Sequence, residues 1–378
     1  MIVERPSLER RVIASLDAGR IPVLLGGCGS GRTSLLLRLT QTWAPATSQY
    51  LDISAAATTP ERCLASVLAA SRLTPATPPA AATGTREAFD RLLDVFDGVS
   101  STEGPPTFLL DEFLDVRTFE NFPGLRHVQR ELIARLAVSP SRFVLASRFT
   151  ARVHRLLRDA PARFEVMHMP PLDAAEVESM AHLFVGGRRD WAASVAPAVA
   201  ALVAGSPAAA HLLLAGLGSM GPATDPVAAL AAAIAPDGPL TAHCRHCYEL
   251  RLHRARGYGA LKAILGVLAD AEPLNLTEIA QRLQRTPGST KDYLSWLEDV
   301  DLITMRGKRY AFTDPLLRLY VRLYGRPVPP GDGDIVREVG AYARTRLLPA
   351  APADRPVTTS ATRPEPESSS RSGIIEID

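Results

Sequence analysis

The residues best suited to chemistry form one short run. Gly26, Gly27, Cys28, Gly29, Ser30, Gly31, Arg32 and Thr33 lie between an apolar stretch at Ile21–Leu25 and an apolar-periodic segment at Ser34–Trp43. Glycine accepts positive φ, so successive backbone N–H groups can converge on one anion. A helix starting near Arg32 would add the positive end of its dipole, and the Thr33 hydroxyl is placed to ligate Mg²⁺. The spacing is that of a phosphate loop, G-x-x-x-x-G-K-[ST], except that arginine stands where lysine is usual. Gly26 through Ser34 are therefore the candidate nucleotide-binding residues.

A second motif follows in the order the chemistry requires. Phe108-Leu-Leu-Asp111-Glu112 is an apolar strand ending in two acids. Asp111 would hold the Mg²⁺, and Glu112 could orient and polarise an attacking water. The next strand ends in Ser147-Arg148, where a cation can face the γ-phosphate, although an ordinary surface arginine fits the same sequence. Glu112, Arg32 and Arg148 are the candidate catalytic residues, and Thr33 and Asp111 the candidate metal ligands.

Arg32 sets the expectation for turnover. Lysine is a compact charge, whereas arginine is longer, planar and forked, so the Arg32 head must sit elsewhere or the γ-phosphate must shift. Backbone contacts can survive that change, but stabilisation of a transition state depends on sub-ångström placement. Nucleotide binding with slow or absent hydrolysis is the expectation. Only Lys262, Lys291 and Lys308 are lysines among 42 basic residues, so drift toward arginine is an alternative origin for Arg32.

These residues need a scaffold. With 378 residues the chain has room for two or three domains. Hydrophobic residues at 46% and charged residues at 22% exclude a wholly disordered chain. A net charge of +2 excludes a uniformly basic coat, and four cysteines are too few for a disulfide framework. The start MIVERPSLERR carries no apolar signal core, and no stretch is apolar over the length of a membrane span, so a soluble cytoplasmic protein is expected. Strand candidates at 21–25, 50–53, 107–110, 142–146 and 164–169 alternate with helix candidates, predicting a three-layer α/β sandwich on a parallel sheet over residues 1–170. Residues 171–256 read as an Ala-rich helical lid. Residues 257–325 read as three short helices and a hairpin, the winged-helix order, with capping signals at Asn275/Glu278 and Ser289/Asp292. A linker and terminal helix over 326–348 and a disordered tail over 349–378 complete the division.

Taken together, the Glu4-Arg5 start, GGCGSGRT, FLLDEF, VLASR, VMHMPPL, Gly205-Ser206-Pro207 and the winged-helix order resemble the STAND branch of P-loop ATPases, close to AAA+ proteins and the archaeal-type ATPases. The resemblance spans about residues 1–325. It implies ATP with Mg²⁺, Asp111 as metal ligand, Glu112 as a catalytic residue, Ser147-Arg148 as sensor and Pro207 in the lid motif near the adenine. Arg32 departs from that family's pattern.

Three further features invite readings. The candidate recognition helix Ser289–Val300 carries Asp292, Glu298 and Asp299 beside Lys291, whereas the tip Arg306-Gly-Lys308-Arg309 is basic. Duplex DNA and a packing role on the ATPase core or a partner protein stand as alternatives. His243-Cys244-Arg-His246-Cys247 with His253 reads either as part of a zinc site or as a helical core patch, and Cys28 as a small residue or an acidified thiol. The tip Ile374–Asp378 reads as a docking peptide for a protein partner or as a plain chain end. The leading reading is a nucleotide-operated switch. A DNA-binding regulator and a protein adaptor are the alternatives.

Overall fold

The computed structural model describes residues 4–43, 47–71, 73–75, 82–100, 104–184, 189–221, 223–252 and 257–347. The tail and its Ile374–Asp378 tip, His253, and most of the Pro/Ala/Thr-rich loop after Leu73 lie outside these residues.

Five parallel strands form the centre: β1 (Ile21–Leu25), β2 (Ser48–Asp52), β3 (Thr107–Asp111), β4 (Arg142–Ser147) and β5 (Phe164–His168), in the spatial order β2-β3-β4-β1-β5. All five residues of β1 and of β3 are buried, as expected when helices cover both faces of a parallel sheet. Alternate side chains serve opposite faces. Leu24, Leu109, Val144 and Met167 pack under α1 (Pro6–Asp17) and α2 (Arg32–Thr42). Val23, Leu25, Phe108, Leu110, Phe143 and Leu145 belong to the larger core on the other face. That face carries α3 (Pro60–Ala70), α4 (Thr85–Asp97) and α5 (Val128–Val138). Phe96 meets Phe108 and Phe143 edge-on at 5.1 and 5.9 Å.

The register decides the site. Leu25 pairs with Ser147, and Asp52 with Asp111. The carboxyl ends of β1, β4, β3 and β2 therefore share one edge, and α6 (Thr150–Leu156) follows β4.

After β5 the described chain is mostly helical. The segments are α7 (Ala174–Ala181), α8 (Arg189–Leu202), α9 (Pro207–Met220), α10 (Pro226–Ala233), α11 (Pro239–Leu252) and α12 (Tyr258–Ala271). A short strand β6 (Leu274–Asn275) precedes α13 (Leu276–Arg282) and α14 (Pro287–Asp299). The hairpin β7 (Ile303–Arg306) and β8 (Arg309–Phe312) pairs back onto β6 in a three-stranded sheet. Helices α15 (Pro315–Tyr324) and α16 (Asp332–Leu347) close the described chain.

The capping box at Asn275 and Glu278 forms with both hydrogen bonds. At α14 the cap moves. Thr286, not Ser289, accepts from the N3 amide, because Pro287 occupies N1 and starts the helix earlier. No helix among the described residues is long and apolar enough to cross a membrane.

Candidate functional site

The turn between β1 and α2 is built from residues that only glycine can supply. Gly29 has φ +77°, and a Cβ there would stand 2.8 Å from the Ala208 Cβ. A Cβ on Gly26 would meet Ser30 Oγ at 2.6 Å. The loop is thus folded tightly on itself and lies against the start of α9, where the Ala208 N–H donates to the Gly29 carbonyl at 3.1 Å. Gly31, at φ +87°, is the N-cap of α2. No side chain caps that end, so its first N–H groups are available to an anion.

The acidic pair arrives from β3. Asp111 Oδ2 accepts from Thr33 Oγ1 at 2.5 Å and from the Tyr50 hydroxyl at 3.2 Å. Burial first, and then the Asp111 charge, raise the Tyr50 hydroxyl well above its ordinary range. A threonine hydroxyl and a carboxylate at one point are hard oxygen donors of the kind a small divalent cation takes. The sequence expectation that Thr33 and Asp111 converge describes what the fold brings together.

Arg32 does not point along the phosphate loop. Its Nη2 donates to Glu112 Oε1 at 2.8 Å, and the two side chains are only 7% and 9% exposed. Glu112 sits at φ +51° just beyond β3. The Arg148 N–H donates to its Oε2 at 3.1 Å, and Arg148 Nη1 lies 3.5 Å from Oε1. Burial pushes the Glu112 carboxyl up, and the Arg32 and Arg148 guanidinium groups pull it back. Arg148 also donates to Asp115 Oδ2 at 3.0 Å. Buried Arg32 and Glu112 and half-buried Arg148 thus form one cluster, which answers where the longer side chain goes.

A cavity of about 430 Å³ opens beside the loop. Ser30, Gly31, Arg32, Thr33 and Ser34 form its polar end; Met180, Leu183, Pro207 and Leu212 give it an apolar one. Pro207, at N1 of α9, lies 3.7 Å from the position of a Cβ on Gly31. Gly205 needs its φ of +67°, since a Cβ would come 2.6 Å from the Leu172 carbonyl oxygen.

Three buried donors here have no partner among the described residues: Ser30 Oγ, and Arg32 Nε and Nη1. Buried polar groups are ordinarily hydrogen-bonded, so this end of the cavity suits an anionic ligand. Hard oxygens at Thr33 and Asp111 beside unpartnered N–H and O–H donors fit an anion carrying a divalent metal.

Sequence reading missed part of the wall. His243 and His211 line the cavity, and Arg251, 6% exposed, lies behind the loop with Nη2 3.1 Å from where a Gly27 Cβ would be. Arg5 also lines it, held by Glu176 at 3.2 Å. His243, Cys247 and Arg251 follow one another at four-residue spacing along α11, and nothing local tells which surface that stripe meets. No cluster of three His, Cys, Asp or Glu side chains able to hold a metal occurs among the described residues.

No protein-family model matches the chain, and no curated protein matches it. Solved structures do. A Walker-type ATPase of Pyrococcus abyssi superposes with TM-score 0.63 at 17% identity, over 85% of this chain and 96% of that one. A STAND protein of Pyrococcus horikoshii with a tetratricopeptide repeat sensor gives TM-score 0.36 at 16% identity, over 92% of this chain and 45% of that one. The Thermotoga maritima RuvB Holliday junction branch migration motor gives 0.38 at 12%, over 82% and 92%. The first of these carries the comparison. This chain shares the α/β fold of that Walker-type ATPase.

Proposed function

We propose that the protein is a nucleotide-operated switch that takes ATP with Mg²⁺ between the sheet edge and the helical segment, and that it hydrolyses ATP slowly or not at all. The observation that carries this is the 2.8 Å contact of Arg32 with Glu112. In this reading the amides of residues 26–34 hold the phosphates and the apolar end of the cavity, with Pro207, holds the base. Thr33 and Asp111 would hold Mg²⁺, which when bound neutralises charge on the phosphates. Glu112 would position and deprotonate the attacking water. With Arg32 and Arg148 on its carboxylate, both Glu112 oxygens are already engaged, which leaves it poorly placed to take up an attacking water. Arg32, in turn, is held off the γ-phosphate.

The switch reading divides the chain as the sequence does: core 1–170, lid 171–256, winged helix 257–325, and a linker with terminal helix from 326. The bond from Ala208 to Gly29 supports it, because the lid then rests on the loop whose contents it reports. Titrating labelled ATP with and without Mg²⁺, with hydrolysis followed in the same tube, tests the proposal. Binding with turnover far below that of the Arg32→Lys variant is expected. Absence of affinity for any nucleoside triphosphate, or brisk wild-type hydrolysis, refutes it.

A second reading, a winged helix for duplex DNA, rests on the exposed basic tip at Arg306, Lys308 and Arg309. The other end of the candidate recognition helix is engaged elsewhere. Asp299 pairs with Arg155, and Asp301 accepts from the Thr150 and Ala151 amides at 2.5 and 3.4 Å. This docking onto α6 favours the packing role, in which the winged helix serves the core or a protein partner.

A further inference from the structure

The phosphate loop and α11 meet in register. Arg251 Nη2 lies 3.1 Å from where a Gly27 Cβ would stand, and His243 Cε1 lies 3.0 Å from where a Gly29 Cβ would stand. Cys28 sits between those two glycines, and Cys247 between those two helical residues, four positions from each. The alignment sets Cys28 opposite Cys247. His243 Nε2 approaches Cys247 Sγ at 3.7 Å. Cys28 is partly exposed, whereas Cys247 and the neighbouring Cys244 are buried.

We propose that Cys28 and Cys247 are a dithiol modification site, oxidised by hydroperoxides to a disulfide that ties the phosphate loop to α11. The Cys28 thiolate attacks the peroxide. An S–O bond forms, the O–O bond breaks, and the departing oxygen takes a proton to leave as water or an alcohol. Cys28 is now a sulfenic acid. The Cys247 sulfur then attacks the Cys28 sulfur; the S–S bond forms, the S–O bond breaks, and hydroxide leaves as water with the Cys247 proton. Two thiols have been oxidised and one peroxide reduced.

The surroundings favour Cys28 as the attacking sulfur. Its thiol is lowered to about 6, first by the hydrogen bond from Cys247 and further by the Arg251, His246 and Arg32 charges, against the opposing effect of burial. The Cys247 thiol is raised by that same bond and by burial, so the proton stays on the resolving sulfur. Cys63, on α3, is buried and pushed up to about 12, which makes it a poor competitor. The bond itself does not depend on the nucleotide reading. Its consequence does: tethering the loop should weaken ATP binding, reversibly with dithiothreitol.

The test treats the full chain with hydrogen peroxide, counts thiols, and digests without reduction. Loss of two of the four thiols and a cross-linked peptide pair carrying Cys28 and Cys247 are expected. The Cys247→Ser variant should instead hold a dimedone-reactive sulfenic acid at Cys28, and Cys63→Ser should behave as wild type. Four surviving thiols, or a cross-link through Cys63 or Cys244, overturns the proposal. These readouts need no nucleotide, so they stand or fall apart from ATP binding. Unchanged ATP affinity in a disulfide form that does bind ATP when reduced would overturn the loop-control consequence.

Discussion

Replacing Glu112 by glutamine separates two roles for Arg32. The variant keeps shape and an accepting oxygen but removes the charge facing a guanidinium that is only 7% exposed. Removing one partner of a buried ion pair costs ~3–5 kcal/mol because the other charge is left uncompensated. The low end, about 3 kcal/mol, applies here: the amide oxygen can still accept from Nη2, and burial already disfavours the Glu112 carboxylate. Arg32 Nε and Nη1 have no partner among the described residues to fall back on. A triphosphate can supply the missing anion. In the wild type ATP must compete with Glu112 for Arg32; in Glu112→Gln it does not. If half or more of that 3 kcal/mol appears as binding energy, ATP affinity rises between roughly tenfold and a hundredfold. The assay is denaturant unfolding with and without ATP and Mg²⁺, alongside equilibrium titration of labelled ATP. The free variant should be less stable than wild type, and saturating ATP should recover most of the difference. Residual hydrolysis should vanish. Stability within about 0.5 kcal/mol of wild type together with unchanged affinity would refute the reasoning, since neither outcome is compatible with a pair that holds Arg32 away from phosphate.

Arg32→Lys frees Glu112 and restores a compact charge, so hydrolysis should rise by roughly 10²-fold, the scale of one well-placed electrostatic contact; a single-turnover assay reads it directly. Gly29→Ala forces a Cβ to a φ of +77° and to 2.8 Å from Ala208 Cβ, which should cost about 1–2 kcal/mol and abolish ATP retention on a filter. Asp301 is raised to about 6, first by burial; the unfolded chain therefore ionises before the folded one, and wild-type stability should fall as pH climbs from about 4 to about 6. Asp301→Asn should flatten that part of the pH–stability curve, by about 2 kcal/mol at most after allowing for solvent. If duplex DNA binds, replacing Arg306, Lys308 and Arg309 by alanine should reduce the slope of log affinity against log salt by up to ~3; an unchanged slope removes the tip from any DNA contact.

Local conformation was legible in the sequence alone. Glycines at 26, 29 and 31 and the acids closing an apolar strand are dictated by what a tight turn and a strand end require of the residues themselves, so the phosphate loop, Thr33, Asp111 and the alternation of strands with helices were legible. Among the helices that went unread, two carry local signals: Thr59-Pro60-Glu61 opens one, and Asp314 followed by Pro315 opens the other, each with its side chain on a first-turn amide. The strand order was not legible. Placing β4 between β1 and β3 is what sets Arg148 beside Glu112. Nor was the resting place of Arg32, whose partner lies 80 residues away, or the meeting of the Gly27–Gly29 turn with the His243–Arg251 stretch of α11 across the fold. Backbone preference acts over a few residues and leaves its mark in the sequence. The choice of partner for a buried charge or thiol depends on which surfaces the packed helices finally press together, and only the folded chain makes that choice.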